Sequence, residues 1–336
     1  MEQIRIGVIG FGTVGAGVVE TVMKNAGIMA ARTGVTPVIA RIADLDTTTD
    51  RGIALPEGIL ISDAMQLIDD PQVDVVVELV GGTTIARKFV SEALKRGKPV
   101  VTANKALLAV FGQELFELAR ANHAEIYFEA SVGGGIPCIK ALREGLIANH
   151  ASAMYGILNG TCNYILTRME NEKADFGMVL KAAQEAGYAE ANPSTDIDGY
   201  DTANKAAILA SLAFGRWFTL DDVTVRGIRE VTLTDIEYAS QLGYRIKLLA
   251  TIKDLDGKLQ LCVQPSLVSK QSLLGNDSGV FNALWVEGDI VGSTMYYGRG
   301  AGRAATSSAV VADIMDLALN RACKCVERVK AFPVHA

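Results

Sequence analysis

Residues 4–22 read IRIGVIGFGTVGAGVVETV: an apolar strand, a glycine-rich turn, then a run with helical spacing. Gly10, Gly12 and Gly15 form a GxGxxG, with Phe11, Thr13 and Val14 between them. In such a strand–turn–helix the first glycine permits the tight turn and the second lets a pyrophosphate approach the backbone. The third lets helix pack closely on strand. The helix start adds unpaired N–H groups and the positive end of its dipole. Alone the motif is weak, because a glycine turn can do no more than pack a helix on a strand. At the head of a βαβ unit it points to a dinucleotide.

Outward from that stretch, strand and helix alternate. TPVIARIADLD (36–46) reads as a second strand, VDVVVELVGG (73–82) as a third and KPVVTANK (98–105) as a fourth. AEIYFEASVGGG (124–135) reads as a fifth, and TIARKFVSEALKRG (84–97) and GQELFELARANH (112–123) as helices between them. Near-continuous Val/Ile strands separated by helices predict a Rossmann-type, doubly wound parallel sheet of the α/β class. After about residue 136 the texture changes to α+β. Helical stretches at 176–187 and 197–215 surround YRIKLLATIKDLDGKLQLCVQP (244–265), where Asp256-Gly257 marks a hairpin turn. The glycine turn and long helix of GRGAGRAATSSAVVADIMDLALNRA (298–322) are expected to pack back on the first domain. The expected division is 1–136 for the dinucleotide-binding domain, completed by a C-terminal helix of about 302–336, and 137–301 for a catalytic domain.

Composition narrows the function. The chain has 336 residues, 21% charged and 49% hydrophobic, with a net charge of −6. That profile suits a well-packed globular protein and argues against a nucleic-acid partner. No basic leader precedes the first strand, and no apolar stretch reaches the roughly 18 residues of a membrane span. A cytoplasmic protein without a membrane partner is expected. Five cysteines (138, 162, 262, 323, 325) lack metal spacing and read as reduced, buried thiols. Three scattered histidines (123, 150, 335) offer no obvious base.

Acid–base chemistry must therefore come from elsewhere. GYAEANPSTDIDGYDTANKAAILA (187–210) gathers Glu190, Asp196, Asp198 and Asp201 ahead of Lys205. A calcium loop fails, because glycine comes fourth after Asp196 and the twelfth position is Ala207. A solvated turn suits Asp196 and Asp198, beside Pro193 and Gly199. Asp201 and Lys205 stand four apart at the start of an apolar helix and share a face. They suit either a surface pair or a pocket for a cationic substrate. Lys105 follows the fourth strand, at the carboxyl edge where open α/β sheets bind ligands. Asp44, after the second strand, is placed to accept from a ribose 2′-hydroxyl and favours NAD, while Arg41 and Arg51 could instead hold the 2′-phosphate of NADP.

These residues resemble the homoserine dehydrogenase family over nearly the whole chain, in GFGTVG, TANK, EASVGGGIP (129–137), GILNGTCNYIL (156–166), GYAEANPSTDIDGYDTANK, LGYRIKLLA and GRGAG (298–302). The resemblance implies interconversion of L-homoserine and L-aspartate 4-semialdehyde with NAD(P)(H), in threonine, methionine and isoleucine biosynthesis. It assigns proton transfer to Lys205, stabilisation of the developing alkoxide beside the nicotinamide to Lys105, and substrate binding to Glu190, Asp201 and Asp196. It implies cofactor contacts at Gly10 to Gly15, Asp44, Lys105 and Gly300, and a Na⁺ or K⁺ ion on the carbonyls of Glu129, Val132, Gly134 and Ile136. Arg299 stands where the family often has proline. A homodimer formed through the second domain is also implied. Many relatives carry a threonine-sensing ACT domain with no counterpart here, so catalysis without inhibition through such a domain is expected. Two alternatives stay open. A sugar-type dehydrogenase would present its lysine in Glu-Lys-Pro and use a later histidine, and a non-catalytic NAD(P) sensor would bind without turnover.

Overall fold

The computed structural model describes residues 2–325 and residue 329. In chain order the first elements are β1 (Glu2–Ile9), α1 (Thr13–Thr33), β2 (Val35–Ala43), β3 (Leu60–Ile61), α2 (Ala64–Asp69) and β4 (Val75–Glu78). Then come α3 (Thr84–Lys95), β5 (Val100–Thr102), α4 (Lys105–Ala121), β6 (Ile126–Tyr127), α5 (Cys138–Lys140) and β7 (Ala151–Ile157). Four helices follow, α6 (Gly160–Glu172), α7 (Phe176–Glu185), α8 (Ser194–Ile197) and α9 (Tyr200–Phe214). Next are β8 (Thr224–Val225), α10 (Leu233–Gln241), β9 (Tyr244–Leu255), β10 (Lys258–Ser269) and α11 (Leu273–Asn276). The last are β11 (Phe281–Gly288), β12 (Gly292–Arg299) and α12 (Arg303–Ala322).

The chain divides into two compact units. One runs to Gly135 and resumes at Ala301, and the other is Ile136–Gly300.

The first unit is built on a parallel sheet of order β3-β2-β1-β4-β5-β6. Its central strands explain themselves: all four residues of β4 are buried, as a strand covered on both faces requires. Two differences from the sequence reading concern length. The helix after the fingerprint continues through residues 25–33, because that segment keeps helical spacing until Gly34 closes it with φ 75°. The fifth strand shrinks to two residues. The Glu129 N–H donates to Asp313 of α12 at 2.8 Å and Ser131 Oγ to the Phe128 carbonyl at 2.6 Å, which turns the chain out of the ladder. The short β3 and α2 had no periodic signal. The expected C-terminal helix is α12, and the last stretch proposed for it, 326–336 apart from Val329, lies outside the described residues.

α12 packs along α1, where Gly17 lies so close to Arg303 and Ser307 that a side chain there would collide. Its inward residues Val310, Ile314 and Leu317 join the core of β1, β2 and β4. At its far end Arg321 reaches Asp74 at 2.8 Å, and Arg5 of β1 grips the same carboxylate with its main-chain and guanidinium N–H groups.

The second unit holds a sheet of order β12-β11-β7-β9-β10-β8. It is antiparallel except where β8 runs parallel to β10. The hairpin of β9 and β10 turns at Asp256 and Gly257, both with positive φ. The apolar helix α9 packs on this sheet, with Ala206, Ala207, Leu209 and Ala210 inaccessible to solvent. Cys138, Cys162 and Cys262 are buried, but Cys323 and Cys325 are exposed, which corrects the expectation for those two: they follow α12, beyond its packed face.

Burial pushes the Asp74 carboxyl up, but hydrogen bonds from Arg5 and Arg321 outweigh it and hold the group at about 2, against an ordinary 3.8. Because the folded value is depressed, the stabilisation is complete above about pH 4 and is lost as pH falls towards 2. Asp74→Asn is expected to lower unfolding free energy by about 2 kcal/mol at pH 7. Urea melts across pH 3–7 should show that difference shrinking at the acid end.

Candidate active site

In the first unit the glycine turn, the end of β2 and the start of α1 are bound together. Gly10 has φ 98° and donates its N–H to the Ala43 carbonyl at 2.8 Å. A side chain at Gly15 would fall on the Gly10 carbonyl, whereas one at Gly12 would meet nothing within 4 Å. The turn is thus tight on its inner side and open at its middle glycine, as a pyrophosphate cradle must be. α1 begins without a side-chain cap and has no acidic residue in its first turn, so its first N–H groups and dipole are free to meet an anion. These residues fit a dinucleotide.

Asp44 is brought to this turn. Its Oδ2 accepts the Phe11 N–H at 2.5 Å, and its Oδ1 accepts the Asp46 N–H at 2.9 Å. The 21 residues of α1 account for the separation of Asp44 from the fingerprint in sequence. Of the two arginines, Arg51 stands here, 3.2 Å from Asp46 and 3.9 Å from Asp44, with its guanidinium 5.0 Å from the Phe11 ring centre. Arg41 instead pairs with Asp70 at 3.1 Å.

The carboxyl edge of the sheet is organised by a residue the sequence reading passed over. Glu78, fully buried at the end of β4, accepts the N–H groups of Val80 and Gly81 at 2.9 and 3.1 Å. Its other oxygen accepts the Thr102 hydroxyl at 2.6 Å, and Thr102 Oγ1 in turn accepts the Asn104 N–H at 3.0 Å. Asn104 donates to the Gly82 carbonyl at 2.7 Å and caps α4 through the Leu107 N–H at 3.1 Å. Lys105 is therefore the first residue of α4, the strand read over 98–105 having ended at Thr102, and the cap fixes where its side chain starts. A glutamate ending an otherwise all-valine strand was the available signal.

In the second unit Lys205 is 8% exposed and Asp201 4%. Lys205 Nζ donates to Asp201 Oδ2 at 2.7 Å and to the Leu158 carbonyl at 2.6 Å. The surface-pair reading of these two residues is excluded by that burial. Asn159, at the N-cap of α6, donates to Asp196 Oδ1 at 2.7 Å and Asp201 Oδ2 at 2.9 Å. Asp198 lies apart, paired with Arg229 on the surface. Glu190 is exposed, and the bond found there is at its main-chain carbonyl, which accepts from Gln184. Neighbouring Cys162 is buried, which pushes its thiol well above the ordinary range, and Asp196 and Asp201 add to that. It is no nucleophile. His150 pairs with Asp289 at the surface, His123 sits in the turn after α4 in the first unit, and His335 lies outside the described residues.

The remaining expected positions lie as follows. Val132 is buried between Glu129 and the glycines, and Gly133 and Gly134 take φ 72° and 57°. Ile136 is buried, with its carbonyl accepting the Cys138 N–H at 2.8 Å. Gly300 follows β12, packed so closely on the buried Asn282 amide that a side chain would collide. Among the described residues no group of three or more His, Cys, Asp or Glu side chains could hold a metal ion, and no helix is long and apolar enough to cross a membrane.

A Rossmann-type dinucleotide cradle in one unit, with a buried lysine–carboxylate pair in the other, fits the class of nicotinamide-dependent oxidoreductases. Comparison with known proteins narrows this. Residues 10–129 match the model of the homoserine dehydrogenase NAD-binding domain, and residues 137–315 match that of homoserine dehydrogenase itself. The chain is 46% identical to the homoserine dehydrogenase of Neisseria gonorrhoeae over 318 residues, 95% of this chain and 73% of that one. It is 42% identical to the Bacillus subtilis enzyme over 320 residues, 95% of this chain and 74% of that one. The crystal structure of the Thiobacillus denitrificans homoserine dehydrogenase superposes with a TM-score of 0.95 at 44% identity, covering 99% of this chain and 78% of that one. A hyperthermophilic archaeal homoserine dehydrogenase in complex with NADPH gives a TM-score of 0.79 at 27% identity, covering 95% and 98%. The chain belongs to the homoserine dehydrogenase family.

Thr102→Val removes the hydroxyl between the Glu78 carboxylate and the Asn104 N–H. It is expected to cost about 2 kcal/mol of stability, because two buried polar groups lose their bridge. Thr102→Ser should lose less than about 1 kcal/mol on the same reasoning. Paired urea titrations check this.

Proposed function

We propose that the chain interconverts L-homoserine and L-aspartate 4-semialdehyde, and that Lys205 exchanges the proton at the substrate's reacting oxygen. The observation that carries this reading is the buried Lys205 ammonium held between the Asp201 carboxylate and the Leu158 carbonyl. In the reductive direction the ammonium donates a proton to the forming alcohol, and in the oxidative direction the amine accepts it. Asp196 and Asp201 suit the substrate's own ammonium group, and Glu190, exposed in the turn after α7, is assigned to the same task. Lys105, whose start is fixed by the Asn104 cap, is assigned to stabilising the developing alkoxide.

A nicotinamide dinucleotide, when bound, supplies the hydride acceptor or donor. Gly10, Phe11, Gly12, Thr13, Val14, Gly15, Asp44, Lys105 and Gly300 are the residues proposed to hold it. Two carboxylates, Asp44 and Asp46, face the guanidinium of Arg51 beside Phe11, which supports the lean to NAD over NADP. The carbonyls of Glu129, Val132, Gly134 and Ile136 are proposed to hold Na⁺ or K⁺. Neutral carbonyl donors, each with a second lone pair to offer, suit a monovalent ion, and the left-handed pair Gly133-Gly134 supports carbonyls turned from the usual direction. The reaction places the chain in threonine, methionine and isoleucine formation in the cytoplasm.

The partner proposed is a second copy. On one face of the second sheet Met295, Trp285 and Tyr155 lie opposite one another on β12, β11 and β7, half-buried over a small apolar cluster. This row supports a homodimer formed through that face, and Trp285→Glu is expected to sediment as a monomer.

Lys205→Ala is expected to lower kcat for homoserine oxidation at least about 10²-fold, the range for loss of a general acid–base. Dinucleotide affinity should stay near wild type. Stopped-flow rates in both directions with NAD(H) and NADP(H) test this; full turnover in the variant would sink it.

A further inference from the structure

We infer that Asn159 is a positioning residue that sets the spacing of the pocket carboxylates and, through Asp201, the seat of Lys205. This rests on the homoserine reading of the pocket. Every polar group of the Asn159 side chain is committed. Its two N–H bonds go to different carboxylates, Asp196 Oδ1 at 2.7 Å and Asp201 Oδ2 at 2.9 Å. Its Oδ1 accepts the Cys162 N–H at 2.8 Å, which caps α6. The amide therefore has one orientation, since a flip would turn an oxygen towards two anions. It is itself 5% exposed, so water does not compete for these bonds.

The chemistry needs such a neutral donor. Two carboxylates drawn this close repel each other, and one would take up a proton or swing away unless both were bound. A cation in this place would compete with the ammonium of Lys205 and with that of a substrate. A carboxamide supplies two donors and no charge. It also touches the same Asp201 oxygen that accepts from Lys205, so the direction of the Lys205–Asp201 bond is set by Asn159 as well as by the helix. The Leu158 carbonyl, the other acceptor of Lys205, belongs to the adjoining residue. One short turn after β7 thus fixes the lysine from two sides. Among the described residues of the second unit, titratable groups near this turn include Asp201 on α9, Asp196 on α8, the Cys162 thiol on α6 and Asp198 just after α8, and burial keeps that thiol protonated.

Capping and bridging can be separated, because serine and aspartate both cap helices well. Asn159→Ser keeps a cap and loses the bridge, and Asn159→Asp keeps size and cap but turns an anion towards two others. Asn159→Ser is expected to melt within a few degrees of wild type, whereas Asn159→Asp should melt lower because it buries a third, unpaired carboxylate; both should bind dinucleotide unchanged. Asn159→Ser should lose roughly 10²-fold in kcat/KM for homoserine, the scale for a misplaced catalytic group. Asn159→Asp should lose at least as much, because a third carboxylate repels the two it faces. A purely structural asparagine would leave kcat/KM near wild type in any variant that folds. Crystal structures of the two variants give a readout free of turnover: separation of Asp196 from Asp201 supports the inference, and an unmoved pair with wild-type rates overturns it. Failure of the homoserine reading shows differently, as a wild-type enzyme that binds dinucleotide and leaves homoserine untouched.

Discussion

A charged group taken out of water must be paired and hydrogen-bonded or the fold loses several kcal/mol. The second unit is arranged around that constraint at Lys205. The lysine stands one turn into a helix whose other residues are almost all apolar and packed on the sheet, so its ammonium has no route to bulk solvent along the helix. Asp201 comes from the same face one turn earlier, as i,i+4 geometry provides. The second acceptor is a carbonyl at the end of β7, left out of the ladder because the strand stops at Ile157. The left-handed Gly199 then permits the sharp entry from α8 into α9 that brings Asp196 alongside.

The first unit meets the same constraint with the opposite sign. Glu78 is an acceptor-only group with no solvent, and it is satisfied by two loop N–H groups and one hydroxyl. What neutralises its cost also ties the loop after β4 to the loop after β5, and through Asn104 to the first residue of α4. A buried carboxylate in the first unit and a buried ammonium in the second thus each organise the loops near a lysine assigned to chemistry. In neither case does the charged group act by attraction over distance; it acts by requiring particular short bonds, and these fix the backbone.

The sequence disclosed the parts that repeat or that depend on a rare residue. The parallel strands were visible because burial on both faces demands unbroken Val and Ile, the fingerprint because only glycine tolerates the turn, and the β9–β10 hairpin because Asp-Gly fits its positive φ values. Lys205 and Asp201 were visible because two charges on an apolar helix break a pattern. What stayed hidden has no such contrast. β3 is two residues long, the shortened β6 depends on Asp313 from far along the chain, and the continuation of α1 is only half-buried on its inner side, so its spacing stands out little. The exposure of Cys323 and Cys325 follows from where α12 stops packing, which composition does not register.

The residues that orient the site escaped for a further reason: they are neutral. Asn159, Thr102, Asn104 and the Leu158 carbonyl carry no charge and occur in ordinary turn contexts, and an asparagine before Gly-Thr reads simply as a helix cap. Their effect comes from donating or accepting in two directions at once, and that depends on partners distant in sequence. Asp196 and Asp201 are brought to Asn159 from α8 and α9, and Gly82 to Asn104 from the loop after β4. Charged residues announce a pocket in the sequence because burying them is costly. The neutral residues that make the burial tolerable can be recognised only once the fold has brought their partners to them, so the geometry of the site is less legible than its chemistry.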